Sequence, residues 1–191
     1  MIYLDDHPQD LDLDAALVAV GRERRDYALR YRRDEDRRLC LAAYMLLQRG
    51  LLLEYGIDGV PQLVRSAGGK PSISGRPDIH FSLSHCHEAA ACVLAARPVG
   101  IDVESITPVD ADVVAHAMND REQEIINASP QPDVAFARLW TMKESFYKLF
   151  GDSSLLPYGD DPRTLLDGDL SRYRFHTTIT PRYVLTVCEE A

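Results

Sequence analysis

Apolar positions along the 191-residue chain repeat with two different periods, and the places where the period changes mark out its elements. After a short strand at Ile2–Leu4, a helical stretch is predicted from about Leu13. A second helix runs from about Asp34 to Tyr55. Its Leu39, Ala42, Ala43, Leu46 and Leu47 follow i, i+3, i+4 spacing, and Gly56 is a fitting stop. From Val64 to Glu104 the pattern turns to short alternations. Residues 65–78 (RSAGGKPSISGRPD) read as a Gly/Pro/Ser loop, followed by IHFSLSH, the small apolar run Ala89–Ala95 and Val99–Glu104. Three short strands with tight links predict one antiparallel sheet. Beyond Thr107-Pro108, helices are expected over Ala111–Ala117, from about Asp120 with Gln123 in capping-box position, and over Asp133–Phe150 between Pro132 and Gly151. Tyr173–Ile179 and Tyr183–Val187, joined across Pro181, read as a closing hairpin. The order αα-βββ-ααα-ββ is that of an α+β fold, with a lobe boundary near Arg97-Pro98.

Composition narrows the function classes. A hydrophobic fraction of 46% is that of an ordinary globular protein with a core of its own. The net charge of −9 argues against a general nucleic-acid binder, which needs a basic surface to release counterions. That charge is uneven, since residues 22–38 hold eight arginines against five acids. This local excess is either a solvated helix face or a site for an anion such as a phosphate. Cys40, Cys86, Cys92 and Cys188 show no CxxC pair or zinc spacing and read as reduced core thiols. The N-terminus has no basic and apolar leader, and no apolar run nears the ~20 residues of a membrane span. A cytoplasmic protein is expected.

The candidate chemistry is acidic. In the strand VGIDVE, Ile101 and Val103 face one way while Asp102 and Glu104 share the other. Two carboxylates on one face suit either an exposed acidic edge or a hard cation such as Mg2+. In the helix FARLWTMKESFYKLFG, Trp140, Glu144 and Lys148 recur at i, i+4, i+8, and Glu144 with Lys148 could be an ordinary surface ion pair. Lys143 falls between Phe136, Trp140 and Tyr147, so it must snorkel, pair with an anion or make a functional contact. Residues 68–71 (GGKP) place a lysine in a loop whose backbone N–H groups could cradle phosphate. Phe81–His85 (FSLSH) ends a strand on a Ser-His step, and no G-x-S-x-G is present to make a serine hydrolase.

Taken in order, Gly69-Lys70-Pro71, FSLSH at 81–85, GIDVE at 100–104 and WTMKESFYK at 140–148 resemble the surfactin-type 4′-phosphopantetheinyl transferases, over residues 25 to 188 or so. The resemblance implies a pseudo-dimer of two similar α+β lobes, residues 1–98 and 99–191, with coenzyme A in the cleft between them. It implies Mg2+ held by Asp102, Glu104 and Glu144, with Glu144 also the base for the attacking hydroxyl and Lys148 stabilising or protonating the leaving phosphate. Lys70, Ser84 and His85 would contact the diphosphate and nucleotide, and Arg30, Arg33 and Arg38 the 3′-phosphate. The implied reaction moves phosphopantetheine from coenzyme A to a serine of an apo acyl, polyketide or peptidyl carrier protein and releases 3′,5′-ADP. A monomer is expected, and the charge and the lack of an apolar span predict neither nucleic-acid nor membrane partners. One departure is the sequence GDSSLLP after the long helix, where the family usually has a glycine-containing loop with a further lysine or glycine.

A metal-dependent nuclease or phosphohydrolase would also use clustered acids with a lysine. Such enzymes place the lysine within two residues of a metal-binding acid on one strand, and DVES has none. A coenzyme A binding protein without activity is the other alternative, and the intact acids argue against it.

Overall fold

A computed structural model describes residues 1–65, 69–151, 156–157, 161 and 163–191. Strand β1 (Ile2–Asp5) leads through a 3-10 turn at Pro8–Asp10 to helices α1 (Leu13–Ala19), α2 (Arg22–Ala28) and α3 (Asp34–Tyr55). Strands β2 (Leu63–Arg65), β3 (Pro71–Ile73), β4 (His80–His85), β5 (Ala90–Ala95) and β6 (Val99–Ser105) follow. Helices α4 (Ala111–Ala117), α5 (Asp120–Ala128) and α6 (Pro132–Phe150) then lead to the hairpin β7 (Tyr173–Ile179) and β8 (Tyr183–Glu190). The class is α+β, as the periodicities predict.

Local chemistry explains the sharpest boundaries. α3 ends at Gly56, whose φ of 65° lets the backbone turn left-handed, where a side chain would be strained. Its first turn carries Asp34, Glu35 and Asp36, anions placed against the positive end of the helix dipole. α6 opens with Pro132 in its first turn and closes on Gly151 at φ 69°. The capping box of α5 sits one residue earlier than the sequence reading placed it. Asn119 accepts from the Glu122 N–H, and Glu122 accepts from the Asn119 N–H. Gln123 instead donates to the Met118 carbonyl.

The strands form two three-stranded antiparallel sheets, in the orders β1-β5-β4 and β6-β8-β7, and a separate β2-β3 hairpin. Each three-stranded sheet thus places its first strand beside its last and its last beside its second-to-last. α3 covers the first sheet with Cys40, Leu41, Leu47 and Leu51, which pack with Phe81 and Leu94. α6 covers the second, where Phe146 and Leu149 meet Cys188.

The expectation of one sheet made of β4, β5 and β6 is corrected here. β4 pairs with β5, but β6 pairs with β8 in register Val99↔Glu189 through Ser105↔Tyr183. β4 and β6 still lie alongside each other. Their junction is made by hydroxyls: Ser82 Oγ accepts from the Ile101 N–H at 3.1 Å and Ser84 Oγ from the Val103 N–H at 3.2 Å. Side chains therefore satisfy the edge donors that a neighbouring carbonyl row would otherwise take. On the far face, Gly100 lies under α6, and a Cβ there would collide with the Ser145 carbonyl oxygen. The glycine lets helix and strand backbones touch.

Candidate functional site

β6 does not have the exposed acidic face that one reading of its pattern allowed. Ile101 and Val103 are buried on one side, and Asp102 is only 4% exposed on the other. Burial raises the Asp102 carboxyl above its ordinary range, and the neighbouring Lys148 ammonium pulls it back. Asp102 Oδ1 accepts from Lys148 Nζ at 2.6 Å and from Ser84 Oγ at 2.7 Å. Asp102 Oδ2 is buried with no hydrogen-bond partner. Lys148 Nζ also donates to Ser84 Oγ at 3.1 Å. Lys148 therefore pairs with Asp102 on β6, with Ser84 of β4 bonded to both across the sheet junction, in place of the surface pair with Glu144 that helical spacing allows.

Glu104 and Glu144 are half-buried beside this group. Burial raises both carboxyls; Asp102 and Glu144 raise Glu104 further, and Asp102 raises Glu144 further. Three carboxyls raised by burial, two of them also by a neighbouring carboxylate, are a concentration of negative charge that a cation would relieve. Among the described residues, no three His, Cys, Asp or Glu side chains are gathered as a ready-formed ion cage. The donors still fit a hard divalent ion: all are carboxylate oxygens, and one of them is a buried oxygen without a partner.

Next to Lys148 lies a cavity of about 290 Å3 lined by Tyr27, Tyr31, Phe81 and His85, with Arg24 and Arg65 also on its wall. Arg24, Arg30 and Arg65 all stack over the Tyr27 ring, at 5.0, 5.7 and 5.7 Å from its centroid. Arg24 donates to the Cys40 carbonyl through Nη2, and its Nε is buried without a partner. Burial lowers the His85 imidazole to about 4, and Lys148 and Arg24 push the same way, so it is neutral at pH 7. On the opposite side, Glu104 borders a more apolar hollow lined by Val113, His116, Phe136 and Trp140.

The arginines assigned from the sequence take separate places. Arg30 stacks on Tyr27, Arg38 donates from Nε to the Leu11 carbonyl, and Arg33 is exposed at the N-cap of α3. Arg24 and Arg65 reach the cavity without having been singled out. The one available sequence signal was the i, i+3 spacing of Arg24 and Tyr27 on α2, an element the pattern did not resolve. Ser84 and His85 both border the junction. Lys70 also lines the cavity, but its Nζ donates to three backbone carbonyls: Lys148 at 2.6 Å, Leu149 at 3.0 Å and Val99 at 3.1 Å. Burial lowers this ammonium to about 8, which leaves it charged at pH 7 with all three donors in place. Gly68 of the glycine-rich loop, and most of the segment after α6, lie outside the described residues.

Lys143 resolves as the partner of an anion. It is fully buried, with Nζ 2.6 Å from Glu122 Oε2 and 3.3 Å from the Ala117 carbonyl oxygen. Its work is to tie α6 to α5 beneath the site. All four cysteines are buried and unpaired, as expected. Among the described residues, no helix is long and apolar enough to cross a membrane.

The site thus sets a buried acid paired with a lysine beside a cavity lined by arginine and tyrosine. Sequence comparison names the class. Residues 98–188 match the 4′-phosphopantetheinyl transferase superfamily. A 4′-phosphopantetheinyl transferase of Bacillus subtilis is 32% identical over 161 residues, covering 82% of this chain and 71% of the relative. The 4′-phosphopantetheinyl transferase Sfp of Bacillus subtilis strain 168 is 27% identical over 159 residues, again 82% and 71%. Enterobactin synthase component D of Salmonella austin is 30% identical over 141 residues, covering 70% and 60%. The chain belongs to the 4′-phosphopantetheinyl transferase family, in its surfactin-type branch, and is an enzyme.

Proposed function

We propose that the enzyme transfers 4′-phosphopantetheine from coenzyme A to a serine of an apo carrier protein, with Mg2+, in a cleft between lobes 1–98 and 99–191. The equal strand order of the two sheets supports reading them as two related lobes. Asp102, Glu104 and Glu144 would hold the ion, which when bound offsets negative charge on the diphosphate oxygens. The serine Oγ forms a bond to the β-phosphorus as the bond from that phosphorus to the bridging oxygen breaks, and 3′,5′-ADP departs. The proton of the serine would pass to Glu144, a half-buried carboxylate on α6 one helical turn from Lys148. Lys148 places its ammonium where charge develops on the leaving phosphate. His85 and Ser84 face the same junction, and neutral His85 can donate one hydrogen bond without repelling Lys148. The 3′-phosphate would lie by the arginines of the cavity wall, where Arg24 and Arg65 join Arg30 as candidate ligands, ahead of Arg33 and Arg38. We place the enzyme in the cytoplasm as a monomer, and the four unpaired, buried cysteines fit that compartment.

The observation that carries this reading is the Asp102–Lys148 pair at the wall of the arginine- and tyrosine-lined cavity. The test mixes the enzyme with an apo carrier protein, coenzyme A and Mg2+ and weighs the carrier. A mass gain equal to the phosphopantetheine arm is expected, reduced by about 10³-fold in rate for Glu144→Gln. No gain on any of several carriers, with hydrolysis of DNA instead, would overturn the reading in favour of a nuclease.

A further inference from the structure

Lys70 carries a role that its position in the glycine-rich loop does not announce. α6 ends in the last turn 147–150, where the final carbonyls of any helix lack partners within the helix. Here the Tyr147 carbonyl is met by the Gly151 N–H. The Lys148 and Leu149 carbonyls are met by a side chain from the other lobe, the ammonium of Lys70. The same ammonium binds the Val99 carbonyl at the start of β6. One cation thus caps the negative end of the helix and fastens it to the strand that bears Asp102. Gly151 is shaped to this contact, because its φ is 69° and a Cβ there would run into the Lys70 side chain. Lys148 is consequently held at both ends, its main chain by Lys70 and its ammonium by Asp102 and Ser84.

We infer that Lys70 is a positioning residue, which sets Lys148 against the reacting phosphate by clamping the end of α6 across the lobe junction. It does not spend its charge on the nucleotide. The inference rests on the role proposed above for Lys148. It predicts which kinetic constant a lesion moves. Losing a clamp misplaces a catalytic ammonium, and misplacement on the order of 1 Å costs up to ~100-fold in rate. Losing a phosphate ligand would instead weaken coenzyme A binding.

The experiment compares wild type, Lys70→Met and Gly151→Ala in carrier-loading kinetics with coenzyme A varied. Both variants should lower kcat by about 10- to 100-fold with KM for coenzyme A within about threefold of wild type. A rise in KM with kcat unchanged would assign Lys70 to the nucleotide and overturn the inference, as would wild-type constants in both variants. The second arm needs no variant. In wild-type protein labelled with 15N and 13C, hydrogen-bond couplings should link Lys70 Nζ to the carbonyl carbons of Val99, Lys148 and Leu149, and they should persist with saturating coenzyme A. Their loss on adding coenzyme A sinks the clamp, even if Lys70→Met fails to fold. Should wild type load no carrier at all, the proposed function falls, while the couplings still report on the clamp.

Discussion

The two long helices cover their sheets in contrasting ways. α3 buries Leu39, Cys40, Leu41, Ala42, Ala43, Tyr44, Leu46 and Leu47, a face made almost wholly of apolar groups. α6 buries Thr141, Lys143 and Ser145 among Ala137, Phe146 and Leu149. The strands beneath them differ in the same sense. β5 reads AACVLA, whereas β6 reads VGIDVES and takes Asp102 into the interior. A similar frame is thus stabilised on one side by hydrophobic burial and on the other partly by satisfied polar contacts. Buried polar groups cost stability unless each has a partner, so they collect where chemistry requires them. The first sheet is backed by an apolar wall, and the second carries a buried acid and its lysine fixed by their partners.

The contrast breaks most sharply at Lys143. Lys143→Met leaves the Glu122 carboxylate buried without its cation, and urea unfolding should show a loss of about 3–5 kcal/mol. Adding Glu122→Gln should recover a good part of it, a coupling that Leu47→Ala in α3 would not show with either change. Equal losses in Lys143→Met with and without the second substitution would mean the pair does not carry the cost.

A smaller effect concerns His85, whose folded value is depressed from 6.5 to about 4. The unfolded chain binds a proton there more readily. The stability contributed by the neutral ring is therefore complete above about pH 6.5 and lost as pH falls from there toward 4. Near pH 5 the loss is about 2 kcal/mol. His85→Gln should flatten that part of the stability–pH curve, and an unchanged slope would contradict the assignment. The smallest change is expected at the sheet junction. Ser82→Ala strips the Ile101 N–H of its acceptor and should cost about 1–2 kcal/mol by thermal or urea unfolding. No change would mean that the hydroxyl bridges are incidental.

Much of the frame was legible because its signals are local. Gly56, Pro132 and Gly151 punctuate helices by backbone geometry, so α3 and α6 were bounded to within a residue. The capping box was misread by one position because Asn119-x-x-Glu122 and Asp120-x-x-Gln123 both satisfy the same pattern. Strand pairing was not legible, since β6 could face β4 or β8 and alternation says nothing of partners. The partner of Lys143 lies 21 residues away on another helix, and periodicity could show only that the lysine needed one. The positions of Arg24 and Arg65 over Tyr27 depend on how α2 and β2 come together. Lys70 was noticed for its motif, but its bonds to the end of α6 arise only from tertiary contact.

The hydroxyl-bridged junction of β4 and β6 bears on how the molecule could be divided. Among the described residues, every strand pairing lies wholly before Arg97 or wholly after Pro98. A chain opened between those two residues would interrupt no sheet. The halves would part along the apolar seam where Ala91 and Val93 pack with Ile101, Val103 and Leu185, and at the bonds that Ser82, Ser84 and Lys70 make to the second half. The Asp102–Lys148 pair would stay within one half, and reassembly would restore its Ser84 bridge and the cavity beside it in a single event.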